Sequence, residues 1–146
     1  MVSGIEKRKM VSVVETLLLV DGDDGCRNAL KFLLELSGYR VVEAAHGVEA
    51  SQWLEALGDR IHLVLVAADL PDMSGPEWRA HTAILAPGLP VIVLRERDRM
   101  EAALTPVGPW YGGLPARAPS PARLLEKIRS DLDEHFFALF SQAPAA

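Results

Sequence analysis

Leu63-Val64-Leu65-Val66-Ala67-Ala68-Asp69-Leu70-Pro71-Asp72-Met73-Ser74-Gly75 reads in two halves. The first five residues are apolar without interruption. Such a run suits a strand buried on both faces of a parallel sheet, because a half-exposed strand would alternate apolar and polar residues. The second half is acidic, contains a proline and ends in Ser-Gly, the composition of a loop. Three other stretches resemble the first half: residues 16–21, the shorter and more polar 40–44, and 90–94. Residues 110–114 form a fifth candidate, weakened by Gly112, Gly113 and Pro115.

Between these runs apolar residues recur at helical spacing. Cys26, Ala29, Leu30, Leu33 and Leu34 share one face, and Gly38 stands where that helix would stop. Ala50, Trp53, Leu54 and Leu57 share a second, followed by Gly58. Trp78, Thr82 and Leu85 predict a third before Pro87, and Met100, Ala103 and Leu104 a short fourth before Pro106. Ser120-Pro121 is a start signal for a last helix with Leu124, Leu125, Ile128, Leu132 and Phe136 on one stripe, running as far as Phe140. Strand then helix, five times over, predicts an α/β fold: a doubly wound five-stranded parallel sheet with helices on both faces, three layers in all. In such folds the functional site lies at the carboxyl ends of the strands, here after Asp21, Ala67, Leu94 and Leu114.

The chain's 146 residues suit one domain over 15–132, with a tail at 1–14 and an extension of the last helix plus a C-terminal tail over 133–146. Apolar residues make up 49% and charged residues 24%, enough for a core without disulfides or metals. The net charge of −5 argues against a nucleic-acid-binding surface. The single cysteine, Cys26, fits a reducing compartment. Residues 1–14 lack the apolar core of a secretory signal, and the run at 63–68 is far too short to cross a bilayer. A cytoplasmic protein without a membrane partner is expected.

Two stretches are more specific than the fold. One is Leu18-Leu19-Val20-Asp21-Gly22-Asp23-Asp24, followed by Arg27 and Leu30 and ending in residues 36–44; the other is the stretch quoted first. With residues 89–94 and Ala118-Pro119-Ser120-Pro121, they resemble the receiver domains of two-component response regulators over roughly residues 15–130. That family has the flavodoxin-like (βα)5 fold. The resemblance implies phosphoryl transfer to an aspartate at the end of the third strand, with Mg²⁺ held by an acidic pair after the first strand and by a backbone carbonyl. A hydroxyl after the fourth strand and a lysine after the fifth would bind phosphoryl oxygens.

Matched position by position, the chain departs from that pattern. The nucleophile stands four residues before the loop proline, so Pro71 points to Ala67. Asp21 matches the first acid of the pair, but the second position is Gly22. The hydroxyl position is Arg95, and the lysine position falls on Arg117. Four of five chemical positions differ, which reads as a pseudo-receiver with no catalytic residues, no cofactor, and Mg²⁺ binding weak or absent, Asp21 being the sole weak candidate ligand. Asp69 reads as a solvent-facing or turn-capping loop residue. Asp23 or Asp24 should N-cap the first helix; an EF-hand is excluded by Gly25 and Phe32 where acids are required.

Arg95 has two readings. It could pair with Asp21 or Asp69, a permanent stand-in for the metal's charge, or swing out beside Glu96 and Arg97. Trp110 and Tyr111 fall where the resemblance implies a partner surface, and ordinary packing would serve them equally. Phe136, Phe137, Leu139 and Phe140 need cover, and self-association as a homodimer is favoured. His46, His62, His81 and His135 are scattered without metal-ligand spacing.

The function expected is therefore a stand-alone receiver-like module acting on another signalling protein, independently of phosphorylation, in a bacterial two-component-type pathway. The alternative is a phosphoryl-accepting regulator using Asp69 with Mg²⁺. A flavodoxin-like cofactor carrier is disfavoured, because the loop after the first strand is acidic and would repel phosphate.

Overall fold

Five residues, Thr16–Val20, form strand β1, and all five are buried. The computed structural model describes residues 14–96 and 122–141. Around β1 lie β2 (Arg40–Ala44), β3 (Leu63–Ala67) and β4 (Val91–Leu94), in the spatial order β2-β1-β3-β4 with every neighbour parallel. The helices are α1 (Asp24–Leu36), α2 (Gly47–Leu57), α3 (Gly75–Leu85) and α4 (Ala122–Ser141), with a single 3-10 turn at Gly58–Arg60. The candidate fifth strand at 110–114, the short helix around Met100, and Arg117 lie outside the described residues. Four strands of the expected five are therefore described.

Strand residues alternate between two apolar clusters, as a pleated sheet requires. Leu17, Leu19, Leu63, Leu65 and Leu94 meet Leu30 and Leu34 of α1 and Leu124, Ile128 and Leu132 of α4. Leu18, Val20, Val64 and Val66 meet Ala50 of α2 and Trp78 of α3. This gives the three-layer arrangement expected from the periodicity.

The helix ends follow local chemistry. Asp23 N-caps α1 by accepting the Cys26 amide at 2.9 Å. Gly38, at φ +96°, supplies the left-handed turn that releases the chain toward β2. Ser74 caps α3 by accepting the Glu77 amide at 3.1 Å. The last helix is pinned to the start of β1: the guanidinium of Arg129 donates to both carboxylate oxygens of Glu15 at 2.7 Å. That bidentate pair, helped by Asp133, holds the Arg129 pKa above its ordinary value.

Two expected core positions are not in the core, and one of them, Trp53 of α2, is 37% exposed. The other, Leu85, was placed on the apolar face with Trp78 and Thr82, but it is 80% exposed. The helix ends at Leu85, whose side chain falls in the last turn and is left open, so helical spacing alone overstates its burial.

Because Ile128 is fully buried between sheet and helix, Ile128→Ala should lower unfolding stability by about 2–5 kcal/mol in urea denaturation, the cost of lost burial plus a cavity.

Candidate functional site

The register sets the positions that matter side by side. Val20 pairs with Val66 and Ala67 with Leu94, so Asp21, Ala67 and Arg95 end three adjacent strands at one edge of the sheet. The amide of Asp21 donates to Ala44 and that of Ala68 to Leu94, extending the ladder just past the strands.

Asp21 is wholly buried, and its Oδ1 accepts the Asp23 amide at 2.9 Å. Its carboxylate is thus turned, in part, onto its own loop. Ala67 is also wholly buried. Asp69 is exposed, and its backbone bridges that of Ser74. Arg95 is exposed directly after β4. Trp110, Tyr111 and Arg117 lie outside the described residues.

The loop after β3 closes tightly. The Gly75 amide donates to the Ala68 carbonyl at 2.7 Å, and a Cβ at Gly75 would collide with the Ala67 carbonyl oxygen. Only glycine permits this approach. The closure lays Pro71 over Gly22: its Cδ and Cγ lie 2.9 and 3.0 Å from where a Cβ at residue 22 would stand. It also carries Asp72 to the start of α2, where its two oxygens accept the amides of Gly47 and Val48 at 2.9 and 3.0 Å. Met73 packs on Gly47, with its Sδ and Cε 2.8 Å from where a Cβ would stand. The buried Trp78 indole N–H donates to Gly47 O at 3.0 Å and to Ser51 Oγ at 3.1 Å.

A second network braces the opposite side. Arg27 donates to the Asp21 carbonyl at 2.7 Å, to Asp24 at 2.6 Å and to Glu43 at 3.2 Å; Lys31 reaches Glu43 at 2.9 Å. Burial opposes the charge on Arg27, and the bonds from Asp24 and Glu43 outweigh it, raising its pKa.

Sequence reading found Asp21, Gly22 and Ala67 but missed Asp72, Met73 and Trp78 as a clamp on α2. The residues were visible, but their partners lie 24 to 31 positions away.

A magnesium ion takes about six oxygen ligands in near-octahedral geometry. The residues here do not fit one. Gly22 offers no side chain, Ala67 offers a methyl group, and the Asp21 carboxylate already holds its own loop. Among the described residues no group of three or more His, Cys, Asp or Glu side chains could hold a metal. No helix among them is long and apolar enough to cross a membrane.

Comparison with known proteins agrees with this architecture. The family described as response regulator receiver domain matches residues 17–107. The sensor kinase CckA of Brucella abortus (strain 2308) is 39% identical over 72 residues, covering 49% of this chain and 8% of that protein. The two-component response regulator-like PRR37 of Oryza sativa subsp. indica is 34% identical over 86 residues, covering 58% and 12%. The chain therefore spans about a tenth of the length of these curated relatives. The crystal structure of a CheY-like response regulator receiver domain protein from Methanospirillum hungatei JF-1 superposes with a TM-score of 0.66 at 29% identity, covering 86% of this chain and 99% of that one.

Two measurements test this geometry. Gly22→Ala should destabilise the protein by about 1 kcal/mol through overpacking against Pro71. Pro71→Ala should relieve that cost, so a double-mutant cycle in urea should give a non-zero coupling. Asp72→Asn should cost about 1 kcal/mol near neutral pH as a weakened helix cap. Burial alone would raise the Asp72 pKa, but the amides of Gly47, Val48 and Asp72 itself, with His46, turn the net shift downward. A lowered pKa contributes stability above the unfolded-state value and loses it as pH falls through the folded value. The difference between wild type and Asp72→Asn should therefore shrink below the ordinary aspartate range.

Proposed function

Because this chain belongs to the response regulator receiver domain family, and is thus a receiver domain of two-component signalling, we propose that it signals without phosphoryl transfer, by contact with another signalling protein. The observation that carries the reading is Ala67. It is fully buried at the end of β3, where the family's sequence pattern puts the accepting carboxylate. A methyl group has no lone pair with which to attack phosphorus.

The surroundings support the same reading. The space beside Gly22 is taken by Pro71, and Asp21 is bonded to its own loop. Arg95 and Arg117 stand at the positions matched to the hydroxyl and the lysine. Arg27 ties the Asp21 turn to α1 and to β2 through Asp24 and Glu43. A receiver built this way holds one arrangement of its β3–α3 loop instead of switching between two. Asp69 does not substitute for Ala67 in this reading, because it stands exposed two residues beyond the strand. Pairing of Arg95 with Asp21 or Asp69 and a partner surface at Trp110 and Tyr111 belong to the same proposal. So do domain limits of 15–132 and a bacterial, cytoplasmic setting.

Incubation with acetyl phosphate and Mg²⁺, followed by intact-mass measurement, should give no phosphoryl adduct. A stable adduct would overturn the reading, and its disappearance in Asp69→Asn would assign the acceptor. Ala67→Asp alone should remain unmodified. It should also lose on the order of 2–4 kcal/mol of stability, because it buries a carboxylate without a cation.

A further inference from the structure

At the amino-terminal edge of the sheet, away from Asp21 and Ala67, lies a groove of about 750 Å³. It runs between the ends of α2 and α3, the segments that lead into β3 and β4, and the far end of α4. Leu54, Leu85, Leu89 and Phe136 give it an apolar lining. Glu55 and Asp59 are the formally charged side chains that line it, and among the described residues no lysine or arginine does. His62 also lines it, and its Nδ1 accepts the Thr16 amide at 2.9 Å. That bond leaves the ring proton on Nε2, so His62 is a fixed hydrogen-bond donor. Its ring lies 5.8 Å from that of Phe136, which ties α4 to this edge.

Apolar chain neighbours of groove residues are open as well. Ile84 and Leu85 are each 80% exposed at the end of α3, and Phe137, next to Phe136, is 73% exposed. Large apolar side chains left open around a groove with a polar rim mark a protein contact. A small molecule would fill the groove and leave Ile84 and Phe137 uncovered.

Charge selects among larger occupants. A second copy would bring a net charge of −5 to an acidic rim, and a fourth helix whose exposed Asp133 and Glu134 would add to the repulsion. An anionic membrane or a nucleic acid would be repelled likewise. A helix with one apolar face and basic flanks satisfies both the lining and the rim, as in helix-in-groove recognition. We propose that this groove docks such a helix from a separate partner protein. The inference stands apart from the phosphorylation reading, because it uses none of the residues at the other edge.

The test uses two synthetic helical peptides of about four turns. Both carry leucines on one face; one has lysine flanks and the other glutamate flanks. Calorimetry should show binding of the lysine peptide, with the glutamate peptide at least about tenfold weaker. Amide shifts should fall on Leu54, Leu85, Leu89 and Phe136. Ile84→Ser with Leu85→Ser, both at exposed positions, should weaken the lysine peptide about tenfold. Glu55→Lys with Asp59→Lys should reverse the preference between peptides. Equal binding of both peptides, shifts away from the groove, or indifference to these variants overturns the proposal. So does sedimentation showing a dimer that Ile84→Ser with Leu85→Ser abolishes. An adduct at Asp69 would bear on the phosphorylation reading alone.

Discussion

The closure of the β3–α3 loop is the constraint from which the rest of the site follows. The start of α3 comes so near the end of β3 that residue 75 can only be glycine, with its amide on the Ala68 carbonyl. Once those two points are fixed, the intervening residues have nowhere to go but outward over their neighbours. Pro71 falls on Gly22, Asp72 on the first amides of α2, and Met73 on Gly47. Trp78, one turn into α3, then reaches back to Gly47 and Ser51. One short loop thus joins β1, α2 and α3 through backbone amides, a sulfur contact and an indole.

Such a junction is stiff for electrostatic as well as steric reasons. The helix terminus at Gly47 presents unsatisfied amides and the positive end of its dipole to the Asp72 carboxylate. Across the site, Arg27 holds the Asp21 carbonyl while pairing with two acids. The first network acts on loops and the second ties the Asp21 turn to β2 through Glu43, so together they fix the carboxyl edge while the apolar clusters fix the layers. The site is held in place by the kind of local satisfaction that a bound ion gives elsewhere.

Much of the fold was legible in the sequence, because continuous apolar runs and 3.6-residue spacing report burial directly. The runs at 40–44 and 63–67 match β2 and β3 to the residue. A cap at Asp23 or Asp24 was legible because short acids there satisfy helix amides, and Asp23 is the one that caps α1. Leu85 shows where such reading stops: spacing gives the face of a helix but not how well each turn of that face is covered. The histidines show a second limit. They look scattered along the chain, yet the fold gathers His62, His81 and His135 around one groove. The clamp on α2 escaped notice for the same reason, since it joins residues that only the β3–α3 crossover brings together. That residues 22 and 67 carry no carboxylate was readable, whereas the contact of Pro71 beside Gly22 was not.

The place of α4 in the chain has a consequence for how the protein is made. The sheet's central strands, β1 and β3, are complete by residue 67, but one of their faces is covered by Leu124, Ile128 and Leu132. Synthesis runs from the amino terminus, so Leu17, Leu19, Leu63 and Leu65 exist for dozens of residues before that cover does. Until then a nascent chain can assemble its strands and still present an apolar face that α1 alone covers. The residues translated late are therefore those that end its exposure to chaperones and to other unfinished chains.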